Sequence, residues 1–272
     1  MRLPAVLATV AALALSACTA GDAPLAPTGP NRIVNGTFTG SAYPSVGALL
    51  FDYDSDGVTG DDLVCTGSLV SPTVFVTAAH CVVGFGTRPQ FYVSFSSDVY
   101  GKGFKAIAAT GFAFDPKYGH DQAHLHDLAV ILLPAGATRG MTPLKLPPAG
   151  FLDGMAAKGS LSKALFVNVG YGTSASRTGV PSFSFDGTRK MSKSEFMGLQ
   201  PTWLGLLMNT SATGEGGDCY GDSGGPKFLD GNPNMILATV VTGDYNCRAT
   251  TWDWRLDTPE AREFLKQYVT LP

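Results

Sequence analysis

From about residue 33 onward the hydrophobic positions fall in short runs bounded by turn residues. The runs are "SVGALLF" (45–51), "LVCTGSLV" (63–70), "TVFVTAA" (73–79), "QFYVSFS" (90–96) and "DLAVILL" (127–133), then "ALFVNVGYG" (164–172) and "MILATVV" (235–241). Their length, their β-branched and aromatic content and the flanking Gly, Pro, Asn and Asp predict strands rather than helices, and so an all-β architecture. A proline-rich bridge, "LPAGATRGMTPLKLPPAG" (133–150), divides the chain into halves of similar size, which predicts two β units, over 33–140 and 141–257. Only the end reads differently. Thr258 suits a helix cap, Pro259 a first helical position, and Ala261, Phe264, Leu265, Tyr268 and Val269 recur at helical spacing, so 258–272 is expected to be a C-terminal helix and tail.

The N-terminus breaks the pattern in another way. "MRLPAVLATVAALALSAC" (1–18) carries one basic residue, an apolar stretch and small residues at its end, as a secretory signal does, and it is too short for a permanent membrane span. Export is therefore expected. "LSAC" (15–18) resembles a bacterial lipobox, in which Cys18 would be lipidated; the alternative is ordinary cleavage near Ala20, which discards Cys18. Prolines 24, 27 and 30 make 19–32 an extended spacer. Either fate of Cys18 leaves Cys65, Cys81, Cys219 and Cys247, enough for two disulfides in an oxidising compartment.

Charge removes one class of partner. With 19 Lys and Arg against 22 Asp and Glu, the net charge is −3 and no basic run interleaves with aromatics, so nucleic acid is not an expected partner.

Three strings carry chemistry. In "GDSGGP" (221–226) glycines flank Ser223 on both sides, permitting a sharp turn with main-chain N–H groups aimed at a developing oxyanion, so Ser223 is the candidate nucleophile. A serine hydroxyl needs a base and a carboxylate to orient that base. His80, in "VTAAHC" (76–81), follows an apolar run and precedes Cys81; Asp127 opens "LAVILL" (128–133), where a carboxylate is costly without a strong partner such as His80.

Other readings compete for nearby residues. His120, His124 and His126 stand close in sequence to Asp127 and could ligate zinc, but "HDQAHLHD" (120–127) matches no helical metalloprotease pattern; the expectation is no metal, with solvated loop histidines. "DYDSDGVTGDDL" (52–63) imitates half of a calcium loop, with Asp52, Asp54, Asp56 and Gly57 in place but Leu63 where the bidentate acid belongs; an acidic turn is the alternative. Trp203, Trp252 and Trp254 read as core or cleft-wall packing. No cofactor is expected.

The strings "RIVNG" (32–36), "TAAHC", "DLAVILL" and "GDSGGP", in this order, resemble the trypsin- and chymotrypsin-like serine proteases. The resemblance implies two packed antiparallel β-barrels with the triad His80, Asp127 and Ser223 in the cleft between them. It pairs Cys65 with Cys81 and Cys219 with Cys247, and makes the N–H groups of Gly221 and Ser223 the oxyanion hole. It also implies a zymogen: cleavage after Arg32 by an activating protease frees the Ile33 ammonium to pair with Asp222. Because Arg32 lies between Cys18 and the catalytic body, one cut would both activate the protein and release it from a lipid anchor.

Two departures bear on specificity. "VTG" (241–243) stands where the family has "SWG", so Thr242 replaces an aromatic wall beside Gly243. Gly217 occupies the place of the aspartate that binds Arg or Lys, with Asp218 one residue later. Asp218 remains within reach of the pocket, and cleavage after Arg or Lys is the expectation. The expected protein is a monomeric, secreted or lipid-anchored endopeptidase acting on protein or peptide substrates. A non-catalytic binding homologue is the alternative, and a metallohydrolase using the histidines ranks last.

Overall fold

The computed structural model describes residues 35–85, 90–176 and 179–272; the signal segment, Cys18, the spacer, Arg32 and Ile33 lie outside the described residues. The first half supplies β1 (Thr37–Phe38), β2 (Val46–Phe51), β3 (Leu63–Ser71), β4 (Val74–Thr77), β5 (Phe91–Ser94), β6 (Ile107–Ala108), β7 (Gly111–Phe114) and β8 (Ala129–Leu132). The second supplies β9 (Leu165–Gly170), β10 (Ser174–Ala175), β11 (Phe183–Ser184), β12 (Lys190–Leu199), β13 (Trp203–Leu207), β14 (Pro226–Leu229), β15 (Asn232–Gly243) and β16 (Thr250–Arg255). Every ladder is antiparallel.

Two curled sheets result. In the first, ordered β6-β5-β2-β3-β4-β8-β7, the end strands β6 and β7 follow one another in sequence, so a short piece of chain joins the two edges. In the second, ordered β1-β12-β13-β16-β15-β14-β9, a further β12–β9 pairing closes six strands into a barrel. β1 departs from its own half and lengthens the second sheet, with Thr37 opposite Met191. The interior of the first barrel is apolar, built on Leu49, Leu69, Phe75, Phe91 and Ile131. A second cluster joins Val46 and Val130 to Val167, Phe228 and Trp254, and the C-terminal helix (Pro259–Leu265) seals it with Ala261, Phe264 and Leu265. Thr258 caps this helix through the Ala261 N–H, and Pro259 opens it.

Arg189 holds the two sheets together. It is buried, and its guanidinium donates to the carbonyls of Gly40, Ala42, Val46 and Phe95 and to the hydroxyls of Thr39 and Tyr171. Among the described residues no carboxylate pairs with it, so the charge is met by backbone dipoles from three separate segments. Arg189→Met removes these donors and leaves buried carbonyls unpaired, at about 1–3 kcal/mol each where water cannot replace them. We expect the unfolding free energy to fall by about 3–5 kcal/mol, read from urea denaturation, with Arg189→Lys recovering only part because three donors cannot serve six acceptors. A loss below about 1 kcal/mol, the value of an ordinary surface contact, would show that the clamp is not needed.

Candidate active site

His80 sits in a single 3₁₀ turn, Ala79–Cys81, directly after β4, and the Cys65–Cys81 disulfide ties that turn to β3. Asp127 lies just before β8, which pairs with β4, so the register Thr77 opposite Ala129 brings the two side chains to the same end of adjacent strands. The Asp127 carboxylate is only 1 % exposed. One oxygen accepts from the His80 backbone N–H at 2.9 Å and the other lies 2.6 Å from His80 Nδ1. A carboxylate of this kind only accepts, so Nδ1 carries the proton and Nε2 is left as the basic nitrogen.

The expected loop of solvated histidines needs correction at its third member. His126 is buried, and its Nδ1 lies 2.9 Å from the buried carboxylate of Asp115. Its backbone is left-handed, with φ of 56°. His126 also packs on Trp254 at 5.7 Å between ring centroids. A second His–Asp pair thus anchors the residue immediately before Asp127. His124 turns away to Glu260 at 3.2 Å, while His120 stays exposed. The three imidazoles have separate surroundings, and among the described residues no group of potential metal ligands contains any of them.

Ser223 is delivered by a turn that only glycines permit. Gly221 has φ of +96° and Gly224 +76°; a Cβ on Gly224 would lie 2.2 Å from Thr77 Oγ1 and 2.6 Å from the Thr66 carbonyl. That closeness lets the turn dock on the first barrel. Thr66 donates its N–H to the Ser223 carbonyl at 2.9 Å and its hydroxyl to the Gly221 carbonyl at 2.9 Å. With their carbonyls so held, the N–H groups of Gly221 and Ser223 have no acceptor among the described residues. Asp222 is fully buried and accepts from the N–H groups of Gly172 and Cys219, each at 2.8 Å. Burial first, then the nearby Asp218, pushes its carboxyl up to about 7.

Two hollows meet at His80. One, of about 490 Å³, is lined by Tyr118, Leu125, Trp203, Thr242 and Trp252. The aromatic wall absent at Thr242 is here supplied by its cross-strand neighbour Trp252 and by Trp203, whose indole N–H is fixed at 3.1 Å on the Ala123 carbonyl. Trp254 belongs instead to the core, at 0 % exposure. The second hollow, of about 360 Å³, holds Ser223 as well as His80 and is walled by Met208, Val241, Gly243 and the Cys219–Cys247 disulfide.

The floor of the second hollow differs from expectation. Gly217 does not line it; a Cβ there would lie 2.3 Å from Met208, which takes the wall position. Asp218 does line it, but its carboxylate is engaged from behind by the ammonium of Lys227. Lys227 is fully buried on β14 and also meets Asn168 Oδ1 at 2.8 Å and Asp253 Oδ1 at 3.6 Å. Burial pushes Asp253 up to about 8 despite the pull of Lys227. Lys227 and Asp253 escaped sequence reading because hydropathy marks neither charged residue as buried, and Met208 because nothing beside it in the sequence points to the pocket; the lysine directly after "GDSGGP" was the available signal.

The acidic turn also rearranges. Asp52, Asp54 and Asp62, rather than Asp56, bring carboxylate oxygens within 4.8 Å of one another, but Asp62 is already bonded to the Thr59 N–H at 2.7 Å. Asp56 instead donates its N–H to Asp54 at 3.3 Å.

Comparison with known proteins agrees with this geometry. The chain is 28% identical over 225 residues to glucanase inhibitor protein 2 of Phytophthora sojae, covering 76% of this chain and 70% of that protein. Human heparin binding protein superposes with a TM-score of 0.62 at 15% identity, covering 87% of this chain and 96% of that one. HL collagenase superposes with a TM-score of 0.61 at 18% identity, covering 86% and 97%. The sequence profile of the trypsin family matches residues 53–252, most of the two barrels with His80, Asp127 and Ser223, and the chain belongs to that family.

Proposed function

We propose that this protein is an extracellular serine endopeptidase. The observation that carries the proposal is the 2.6 Å contact of a buried Asp127 with His80 Nδ1, in a chain whose Ser223 opens on the same hollow as that imidazole. Ser223 Oγ attacks the scissile carbonyl carbon while His80 Nε2 takes the hydroxyl proton, and the oxyanion that forms faces the N–H groups of Gly221 and Ser223. His80 then gives that proton to the leaving amine as the C–N bond breaks. Water, deprotonated by the same nitrogen, splits the acyl-enzyme and restores Ser223. Asp127 keeps the imidazole in the tautomer that does this and stabilises the imidazolium. Activation by cleavage after Arg32, with Ile33 moving to Asp222, and anchoring through Cys18 are part of the same proposal.

The test is covalent. The chain cut after Arg32 should react stoichiometrically with a fluorophosphonate at Ser223, and Ser223→Ala should abolish both labelling and peptide turnover while chelators change neither. A second reading, a binding protein that keeps the fold without turnover, is favoured by the likeness to a protein named for inhibiting a glucanase. A folded, cut chain that takes no label would support that reading and end the first.

A further inference from the structure

On the endopeptidase reading the second hollow, which Ser223 and His80 share, takes the side chain preceding the cut bond, and its floor carries an internal counter-ion. Lys227 has three donors and meets three acceptors, on Asp218, Asn168 and Asp253. The Lys227 ammonium is paired with Asp218, and burial raises the Asp253 carboxyl towards its neutral form. Asp222 lies behind the same loop, committed to the N–H groups of Gly172 and Cys219. One further acid lines the hollow: Asp244, at its mouth, whose carboxylate accepts from the N–H groups of Arg248, Ala249 and Thr250. Lys227 meets one oxygen of Asp218 and the other, Oδ1, is buried without a hydrogen-bond partner among the described residues, so a cation brought by the substrate would find there only a carboxylate already paired with Lys227. The rest of the wall is mainly apolar, with Met208, Val240, Val241 and the disulfide beside Tyr220 and Thr251, and a bare edge at Gly243.

We propose that Lys227 is a specificity-determining residue: by occupying Asp218 from inside the barrel it makes the pocket select large uncharged side chains and reject Arg and Lys. This rests on the endopeptidase reading for its meaning in catalysis, and it replaces the expectation of basic specificity drawn from Asp218 alone. A guanidinium or ammonium entering the slot would be desolvated beside a carboxylate already neutralised by Lys227, which is a buried charge without a partner. An apolar or aromatic side chain loses nothing there and gains burial.

Binding measurements test the pocket separately from turnover. Benzamidinium and its neutral isostere benzamide are titrated calorimetrically at pH 6.5 into the chain cut after Arg32. We expect benzamide to bind at least as tightly as benzamidinium in the wild type. Lys227→Met should tighten benzamidinium roughly 100-fold, the scale of restoring one partner to a buried charge. The double variant Lys227→Met, Asp218→Asn should lose that gain. In peptide turnover the same single variant should begin to cleave after Arg. A wild-type pocket that prefers benzamidinium would overturn the proposal, as would a folded Lys227→Met with no gain. Should Lys227→Met not fold, the wild-type preference alone decides. Failure of Ser223 to take label alongside a wild-type preference for benzamide would refute the endopeptidase reading and leave the pocket assignment standing.

Discussion

Asp127→Asn is expected to lower the kcat of the proposed peptidase activity of the chain cut after Arg32 about ten-thousand-fold while barely changing its fold. The two carboxylate oxygens have different duties: one accepts from the His80 N–H and the other from Nδ1–H. An asparagine has one acceptor and one donor for these places. If its oxygen stays on Nδ1–H, its amide N–H₂ is forced against the His80 backbone N–H; if the amide turns over, it donates to Nδ1 and the imidazole proton moves to Nε2. The second arrangement satisfies both hydrogen bonds and is favoured at a site only 1 % exposed, because a buried donor facing a donor costs more than a changed tautomer. Nε2 then carries a hydrogen and cannot take the proton of Ser223. The loss appears in kcat rather than KM, since neither hollow loses a wall residue. A drop of less than tenfold at pH 7 would mean that Asp127 does not set the tautomer. The pair behind it predicts a smaller effect in the same direction for changes at His126, through the angle at which the chain enters Asp127.

The site was legible where chemistry is carried by short strings and illegible where it is carried by burial. His80, Asp127 and Ser223 stand in strings whose residue types constrain one another, so the sequence pointed to them without any knowledge of strand pairing. The apolar runs of the first barrel were equally plain, as β2, β4 and β8 bury almost every position. The second barrel conceals its interior by making it polar. β12 alternates in burial, but the inward positions are Lys190, Ser192 and Ser194, and Asn168 of β9 reaches across to both serines at 2.8–3.0 Å. β14 buries Lys227, and β16 buries Asp253 and Arg255. A period-2 signal written in serine, lysine and aspartate looks like a loop, since hydropathy reports what a side chain prefers in isolation and not what its partners supply. The same concealment bears on specificity: Asp218 is visible as an acid near the pocket, but the lysine paired with it lies nine residues on, in a strand whose alternation is not legible.

The stability of the uncut chain should fall as pH rises from about 4 to about 7, and cleavage after Arg32 should remove the share of that slope that comes from Asp222. The cause is Asp222, whose carboxyl is raised from 3.8 to about 7 by burial and by Asp218. Since the folded value lies above the unfolded one, the native state holds a proton that the unfolded chain has released between them, and stability declines with pH across that window. The contribution is complete below pH 4 and lost by pH 7. About three pH units at 1.36 kcal/mol each give a loss on the order of 4 kcal/mol, enough to leave the nucleophile loop weakly held in the uncut protein. On the proposed activation the Ile33 ammonium would pair with Asp222 after cleavage, so that carboxylate would be ionised throughout this range and its share of the slope should vanish. That pairing would raise the folded value of the ammonium above about 7.7–8.0, so its stabilisation would be full below that range and disappear as pH rises through the folded value. Cut protein should therefore lose less stability than uncut protein between pH 4 and 7, and lose its Ile33 contribution in alkali. Urea midpoints are to be compared between pH 4 and pH 9 for the cut chain, for uncut Arg32→Gln, and for uncut Arg32→Gln carrying Asp222→Asn. Asp253, raised in the same direction, remains in all three, so differences between them isolate Asp222. The neutral asparagine should flatten the acid-to-neutral decline of the uncut chain. Equal slopes for cut and uncut protein would refute the pairing of Ile33 with Asp222, and with it the link between one cleavage and the formation of the oxyanion loop.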